Sequence, residues 1–315
     1  MKKTIGKTIL FLIPLLIILA LIDLASFTDR GDALLSRVCM SQNYRHVGSA
    51  QVSPAIRTAQ TASSHTRAVL GDSVCSQVFS EFADQNEEYL ILGTNMAVTL
   101  DGQYILARLF LESHPEATDV YLILLPVSFA GRYDSPQSYS YLIEPFGRAE
   151  TLNYLSNDTL TGMKKRYGSL FLNNNVIRFV DGSSINNKIC LYYFQKHAKE
   201  ADIDDIISDE AAYYLNDLYD ICREKNVTLH LLSPPVCDSS ENADRIKRLK
   251  EATEGTELSH LFEKYFDSIT LYPEYMFLDG HHFKSEYADQ VKCSGYIEDM
   301  QAKSGELQGL KHMTE

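Results

Sequence analysis

Four short runs of Val, Ile, Leu and Tyr, at residues 68–70, 88–92, 119–125 and 227–232, are separated by stretches that each carry one apolar face. This alternation constrains the fold more than any other feature of the chain. Runs this short and continuous suit parallel strands buried on both faces. Residues 97–113 place leucines, a tyrosine and a phenylalanine at roughly helical spacing, and residues 209–225 repeat the pattern with charges on the back. Both read as amphipathic helices. A last helix over 284–301 would cover one face of the sheet. Strand, helix, strand, helix is the order of a doubly wound α/β sheet, and that is the fold class expected.

The 315 residues are 45% hydrophobic, enough to bury a large core. The α/β pattern occupies residues 67–302. It is interrupted at about 131–200 by a segment containing Tyr133, Tyr139, Tyr141, Tyr154, Tyr167, Tyr192 and Tyr193 and the run Asn173 to Asn175. Two readings of this insertion stand side by side: a wall of a substrate cleft, or a helical subdomain that packs its tyrosines inward. Residues 303–315 are polar and read as a flexible tail. No internal repeat is present.

Ahead of the domain, Lys2, Lys3 and Lys7 precede an uncharged apolar run over residues 8–22. A run of that length fits a secretory signal or a short membrane helix. No pair of small residues follows at a cleavage spacing, and Leu24 to Phe27 extend the apolar character past Asp23. Residues 1–30 are therefore expected to be a cytoplasmic tip and a single transmembrane anchor, with the lysines inside and the rest of the chain outside the cell. A cleaved signal is the main alternative, and a buried core helix a minor one. Residues 31–66 read as a polar connector with room for one short helix.

Against 29 Lys and Arg stand 42 Asp and Glu, a formal charge of −13. This argues against a nucleic-acid partner, which needs a basic face to neutralise phosphates. Cysteines 39, 75, 190, 222, 237 and 293 contain no C-x-x-C pair, so a zinc ribbon or thioredoxin-type site is not expected. Outside the cytoplasm they are free to form disulfides; isolated buried thiols are an equal alternative.

Two short elements carry chemistry. Gly71-Asp72-Ser73 follows the first apolar run. A serine at the carboxyl end of a parallel strand, entering a helix, is well placed for a nucleophile, and Asp or Ser there also serves as an ordinary helix cap. Near the other end lies Asp279-Gly280-His281-His282. A carboxylate three residues before His282 can accept its Nδ1 proton and leave Nε2 free to take a proton from serine. Taken alone, this too reads as a capping Asp beside surface histidines. A metal site of Asp279, His281 and His282 is disfavoured, because adjacent side chains of an extended chain point apart. Together the two elements say more, since both fall at the carboxyl edge of the sheet, where such sheets bind ligands.

The combination resembles the SGNH (GDSL-like) hydrolase superfamily, with Gly71-Asp72-Ser73 as its first block and Asp279 to His282 as its last. The resemblance implies a three-layer α/β/α sandwich with a parallel sheet. It implies catalytic roles for Ser73 as nucleophile, His282 as base and Asp279 as orienter. It also implies an oxyanion hole from the backbone N–H groups of Ser73 and Gly93, the latter in Leu92-Gly93-Thr94-Asn95. The family's Gly-x-Asn-Asp block after the third strand is absent; the chain has Leu125-Pro126-Val127-Ser128-Phe129 instead. Asn95 is the remaining amide near the site.

A membrane anchor before such a domain resembles the envelope branch of the superfamily, which includes the D-alanyl transfer protein of teichoic acids and exopolysaccharide acetyltransferases. The expectation is a membrane-anchored extracytoplasmic serine esterase or O-acyltransferase acting on an acylated envelope polysaccharide or teichoic-acid-like polymer. No metal or organic cofactor is called for. The competing expectation is a non-catalytic SGNH-like scaffold that binds glycan. A phospholipid hydrolase is disfavoured, since no amphipathic docking helix follows the anchor.

Overall fold

The computed structural model describes residues 47–79, 89–135, 137–167 and 206–293, together with isolated helical positions at 12–14, 17, 18 and 21. Among the described residues no helix is long and apolar enough to cross a membrane. Most of the expected anchor over 1–30 lies outside them, as do the tail 303–315 and the insertion beyond residue 167.

In chain order, helix α1 (Val47–Gln60) leads to strand β1 (Arg67–Gly71), helix α2 (Ser73–Phe79) and strand β2 (Tyr89–Ile91). Helix α3 (Thr99–Ser113), strand β3 (Asp119–Ile123) and the small helices α4 (Glu144–Arg148) and α5 (Asn157–Tyr167) follow. Helix α6 (Asp209–Glu224), strand β4 (Thr228–Leu232), strand β5 (Val236–Asp238), helices α7 (Ser240–Thr253) and α8 (Ser259–Ser268), strand β6 (Leu271–Pro273) and helix α9 (Ser285–Cys293) complete the described order.

The main sheet is parallel throughout, in the order β2-β1-β3-β4. The chain starts in the middle and winds outward in both directions, so the connections leave opposite faces at β1 and β3. Strands β5 and β6 form a separate parallel pair, which the sequence pattern does not announce.

Alternation along the strands sends side chains into two cores. Ala68, Leu70, Leu90, Val120, Leu122, Leu229 and Leu231 belong to one buried cluster. Val69, Tyr121, Ile123 and Leu232 belong to the other. The first face is covered by α1, α3, α6 and α8, through residues such as Ile56, Tyr104, Leu215 and Phe262. The second is covered by α2 and α9, through Val74, Cys75, Val78, Ala288 and Val291. Two-sided burial explains why the strands read as continuous apolar runs. The α/β class with a parallel sheet and helices on both faces is therefore observed.

Several boundaries differ from the sequence pattern for local reasons. The expected helix over 97–113 begins as a 3₁₀ turn at Met96–Val98 and becomes α-helical at Thr99, after a backbone break with φ 56°. The second half of the expected connector is α1, whose Val52, Ile56 and Ala59 are fully buried against the sheet's first face despite Pro54 within the helix. The early part of the insertion is helical and turns Tyr139 and Tyr141 into the core. Helix α6 starts on Ser208, whose hydroxyl accepts the Ala211 N–H at 3.1 Å, and carries Asp209 and Glu210 in its first turn. Ser208 caps the helix, and the Asp209 carboxylate complements its dipole. Cys75, Cys222 and Cys237 are buried free thiols, whereas the side chains of Cys39, Cys190 and Cys293 lie outside the described structure.

Candidate functional site

The site forms where β1 ends. Asp72 is fully buried and does what a capping residue does: its Oδ1 accepts the N–H groups of Val74 (3.0 Å) and Cys75 (3.3 Å) at the start of α2. Its Oδ2 accepts the Leu125 N–H (2.7 Å) and the Ser128 hydroxyl (2.9 Å) from the turn after β3. Burial pushes the Asp72 carboxyl up, against the four hydrogen bonds that hold it down. Asp72 thus joins the two loops on either side of the sheet's switch point. With Asp72 as cap, the next side chain, Ser73, is left to project outward.

Ser73 meets His282 across 209 positions of sequence, with Oγ and Nε2 2.7 Å apart. The other ring nitrogen of His282 lies 2.9 Å from Oδ2 and 3.1 Å from Oδ1 of Asp279. A carboxylate accepts at Nδ1, so the proton sits there and the Nε2 lone pair faces the serine hydroxyl. Asp279 Oδ1 also accepts the backbone N–H groups of His281 (3.1 Å) and His282 (2.8 Å). Burial is the largest single influence and would raise the Asp279 carboxyl, but the bonds from His282 and His281, together with the His282 charge, outweigh it and hold the group down at about 2. The side chains of His282 and Asp279 remain 42% and 56% exposed, so a solute reaches the pair from solvent.

The loop bearing this pair is a tight hairpin. Phe277 and Phe283 form an antiparallel bridge, flanked by the hydrogen bonds Leu278 N–H to His282 O (2.7 Å) and Lys284 N–H to Met276 O (3.0 Å). The two phenyl rings stack with centroids 4.3 Å apart. Gly280 supplies the reversal at φ 77°, a conformation that strains residues with a β-carbon. Gln77, one turn along α2 from Ser73, donates from Nε2 to Phe283 O (2.9 Å) and accepts the Phe283 N–H at Oε1 (3.1 Å).

Gly93 backs onto the first turn of α2: a β-carbon there would stand 3.0 Å from the Ser76 nitrogen. Asn95 is committed through its Oδ1, which accepts the Ala97 N–H at 2.9 Å and caps the 3₁₀ turn, while among the described residues its amide nitrogen takes no partner. From α3, the buried Gln103 donates to the Gly71 carbonyl (2.9 Å) and to Thr94 Oγ1 (3.3 Å), tying the end of β1 to the loop after β2.

The structure therefore brings Ser73, His282 and Asp279 into one hydrogen-bonded line and sets Gly93 behind the turn that carries Ser73. Sequence reasoning missed the linkers Gln77, Gln103 and Ser128. Of these only Gln77 left a signal, four residues from Ser73 on one face of a helix. Among the described residues no group of three or more His, Cys, Asp or Glu side chains is placed to hold a metal ion.

In chemical terms, a hydroxyl held against a neutral imidazole lone pair, with that imidazole oriented by a carboxylate, can deliver an alkoxide to an electrophilic carbon. The chain matches no protein-family model, no curated protein and no solved structure.

Proposed function

We propose that this chain is a serine esterase or O-acyltransferase of the SGNH type, anchored by residues 1–30 and working outside the cell on acyl groups of an envelope polysaccharide or teichoic-acid-like polymer. The observation that carries the reading is the Ser73–His282–Asp279 line, with Ser73 Oγ 2.7 Å from His282 Nε2. The helices on both faces of the parallel sheet support a three-layer α/β/α architecture of that type.

In the proposed reaction Ser73 Oγ attacks the acyl carbonyl while its proton passes to His282 Nε2. Asp279 keeps the Nδ1 proton and faces the imidazolium that forms. The oxyanion takes hydrogen bonds from the N–H groups of Ser73 and Gly93, with the Asn95 amide as a third donor; one such donor is typically worth roughly 3 kcal/mol. Collapse expels the sugar alkoxide, which takes the proton from His282, and leaves an acyl-enzyme. Water or a second sugar hydroxyl, deprotonated by His282, then attacks the acyl carbon, and collapse releases Ser73 Oγ, which recovers its proton from His282.

Reaction with a fluorophosphonate probe tests this without knowledge of the polymer. The parent protein is expected to label at one serine, and Ser73→Ala to abolish labelling while the fold persists by circular dichroism. Undiminished labelling of Ser73→Ala removes the assignment. Glycan binding by an unreactive parent favours the scaffold reading instead.

A further inference from the structure

We propose that Gln77 is a positioning residue for the Ser73–His282 pair: its amide clasps the backbone of Phe283 and so sets where the histidine loop docks on the nucleophile helix. The inference rests on the proposed role of Ser73.

The geometry follows from the hairpin. Phe277 and Phe283 face each other as a bridge flanked by the Leu278–His282 and Lys284–Met276 hydrogen bonds. In such a pair the N–H and C=O of each residue point away from its partner. Phe283 is buried, so both of its outward groups require partners. A side-chain amide sets an N–H donor beside a carbonyl acceptor at matching spacing, and Gln77 meets the Phe283 carbonyl at 2.9 Å and its N–H at 3.1 Å. The result mimics a rung of an antiparallel ladder, with a side chain in place of the second strand.

The consequence lies in where each end is fixed. Gln77 stands one helical turn from Ser73 on α2, and Phe283 follows His282 directly. Asp279 and the Phe277–Phe283 bridge set the internal shape of the histidine loop, and the two phenyl rings share a buried cluster with Val74, Val78 and Phe79 of α2, packing that carries no directional bond. Among the described residues the Gln77 clasp and the Ser73–His282 hydrogen bond both span the two elements, and of these two the clasp survives when the serine is acylated. It therefore holds His282 in register through the step in which the imidazole must activate the second acceptor.

Gln77→Ala removes both bonds. Gln77→Glu keeps the acceptor for the Phe283 N–H, but as a carboxylate it opposes the Phe283 carbonyl; once protonated it donates to that carbonyl again. Two readouts are needed. The first is the rate of fluorophosphonate labelling across pH. Gln77→Ala is expected to label about 10- to 100-fold more slowly, the range seen when groups that orient a reacting side chain are removed. The ratio of Gln77→Glu to parent is expected to rise as pH falls.

The second readout is the ¹⁵N resonances of the His282 ring, which report the Ser73 and Asp279 hydrogen bonds without any reaction. These are expected to move in Gln77→Ala and, at neutral pH, in Gln77→Glu. If the parent does not label yet the resonances move, Ser73 is not a reactive nucleophile but the clasp positions His282 as inferred. If the parent labels while Gln77→Glu shows a pH-independent ratio and unmoved resonances, the positioning role is overturned. Should Gln77→Ala fail to fold, the Gln77→Glu series decides alone.

Discussion

The Ser128 hydroxyl donates to the Asp72 carboxylate at 2.9 Å, reaching from the turn after β3 to the turn after β1 across the point where the sheet's winding reverses. The same oxygen takes the Leu125 N–H, so two neighbouring loops are tied by one buried atom. Asp72→Asn leaves a single carbonyl to serve donors now shared between two oxygens, and sets an amide N–H group against other N–H groups. Urea denaturation is expected to show a loss of about 2–4 kcal/mol, with Ser128→Ala costing about 1–2 kcal/mol. An Asp72→Asn midpoint equal to the parent's would refute the tie.

Asp279→Asn tests orientation rather than stability. The asparagine carbonyl can still receive the His281 and His282 N–H groups, but the amide then presents a donor to Nδ1. The ring answers by carrying its proton on Nε2, facing Ser73 with no lone pair. Labelling is expected to fall about 10³- to 10⁴-fold while the fold persists by circular dichroism. A rate within a few fold of the parent contradicts the assignment.

Stability is expected to tilt toward acid because of a buried group of carboxyls away from the catalytic line. Burial pushes Asp101 up to about 6, and burial with the Asp101 charge pushes Glu210 up to about 8. Arg132 and Asp134 face both, and Thr99 donates its hydroxyl to Asp101. In the unfolded chain both acids titrate near ~4. The folded protein thus holds more protons than the unfolded chain over this interval, and stability falls as pH rises. The contribution is complete below ~4 and is lost as pH passes about 6 and then about 8. Asp279, held at about 2, acts with the opposite sign: its contribution is present above ~4 and lost as pH falls through about 2. Urea midpoints near pH ~5, ~7 and ~9 should decline in that order, and Glu210→Gln should flatten the upper limb. Midpoints that rise across the range would reverse the sign and sink the account.

Cys75 lies two residues from Ser73 yet is expected to be inert. It has no exposed surface, and burial together with the Asp72 charge raises its thiol well above the usual range. Only the thiolate reacts, so iodoacetamide should modify Cys75 in the native protein no faster than global unfolding permits. Peptide mapping that finds rapid native modification at Cys75 would contradict the packing of α2 against the sheet.

What the sequence disclosed, it disclosed through local pattern. The strands were legible because burial on both faces leaves no polar alternation, and the Ser73 and Asp279–His282 elements because each is short and contiguous. Helix α1 was legible only as a short helix within a connector; its place in the core was not, because Pro54 and a run of Ser, Gln and Thr mask a face that is only Val52, Ile56 and Ala59 wide. The β5–β6 pair was missed because three-residue strands carry no periodicity. Asp72 read as a cap, and it is one; its bond to Ser128 spans 56 positions and follows no spacing rule. Asn95 illustrates a limit of motif reading, since its oxygen is spent on a local cap that the sequence gives no means to weigh against the oxyanion site.

The hairpin between Phe277 and Phe283 encloses Asp279 to His282 in four consecutive residues, so the hydrogen bonds that set the carboxylate–imidazole geometry are all local in sequence. Base and orienter thus travel together as one cassette. Long-range contacts decide where the cassette sits, while its internal bonds are its own. A substitution elsewhere in the domain can shift the pair as a body against Ser73, while the imidazole keeps its tautomer throughout.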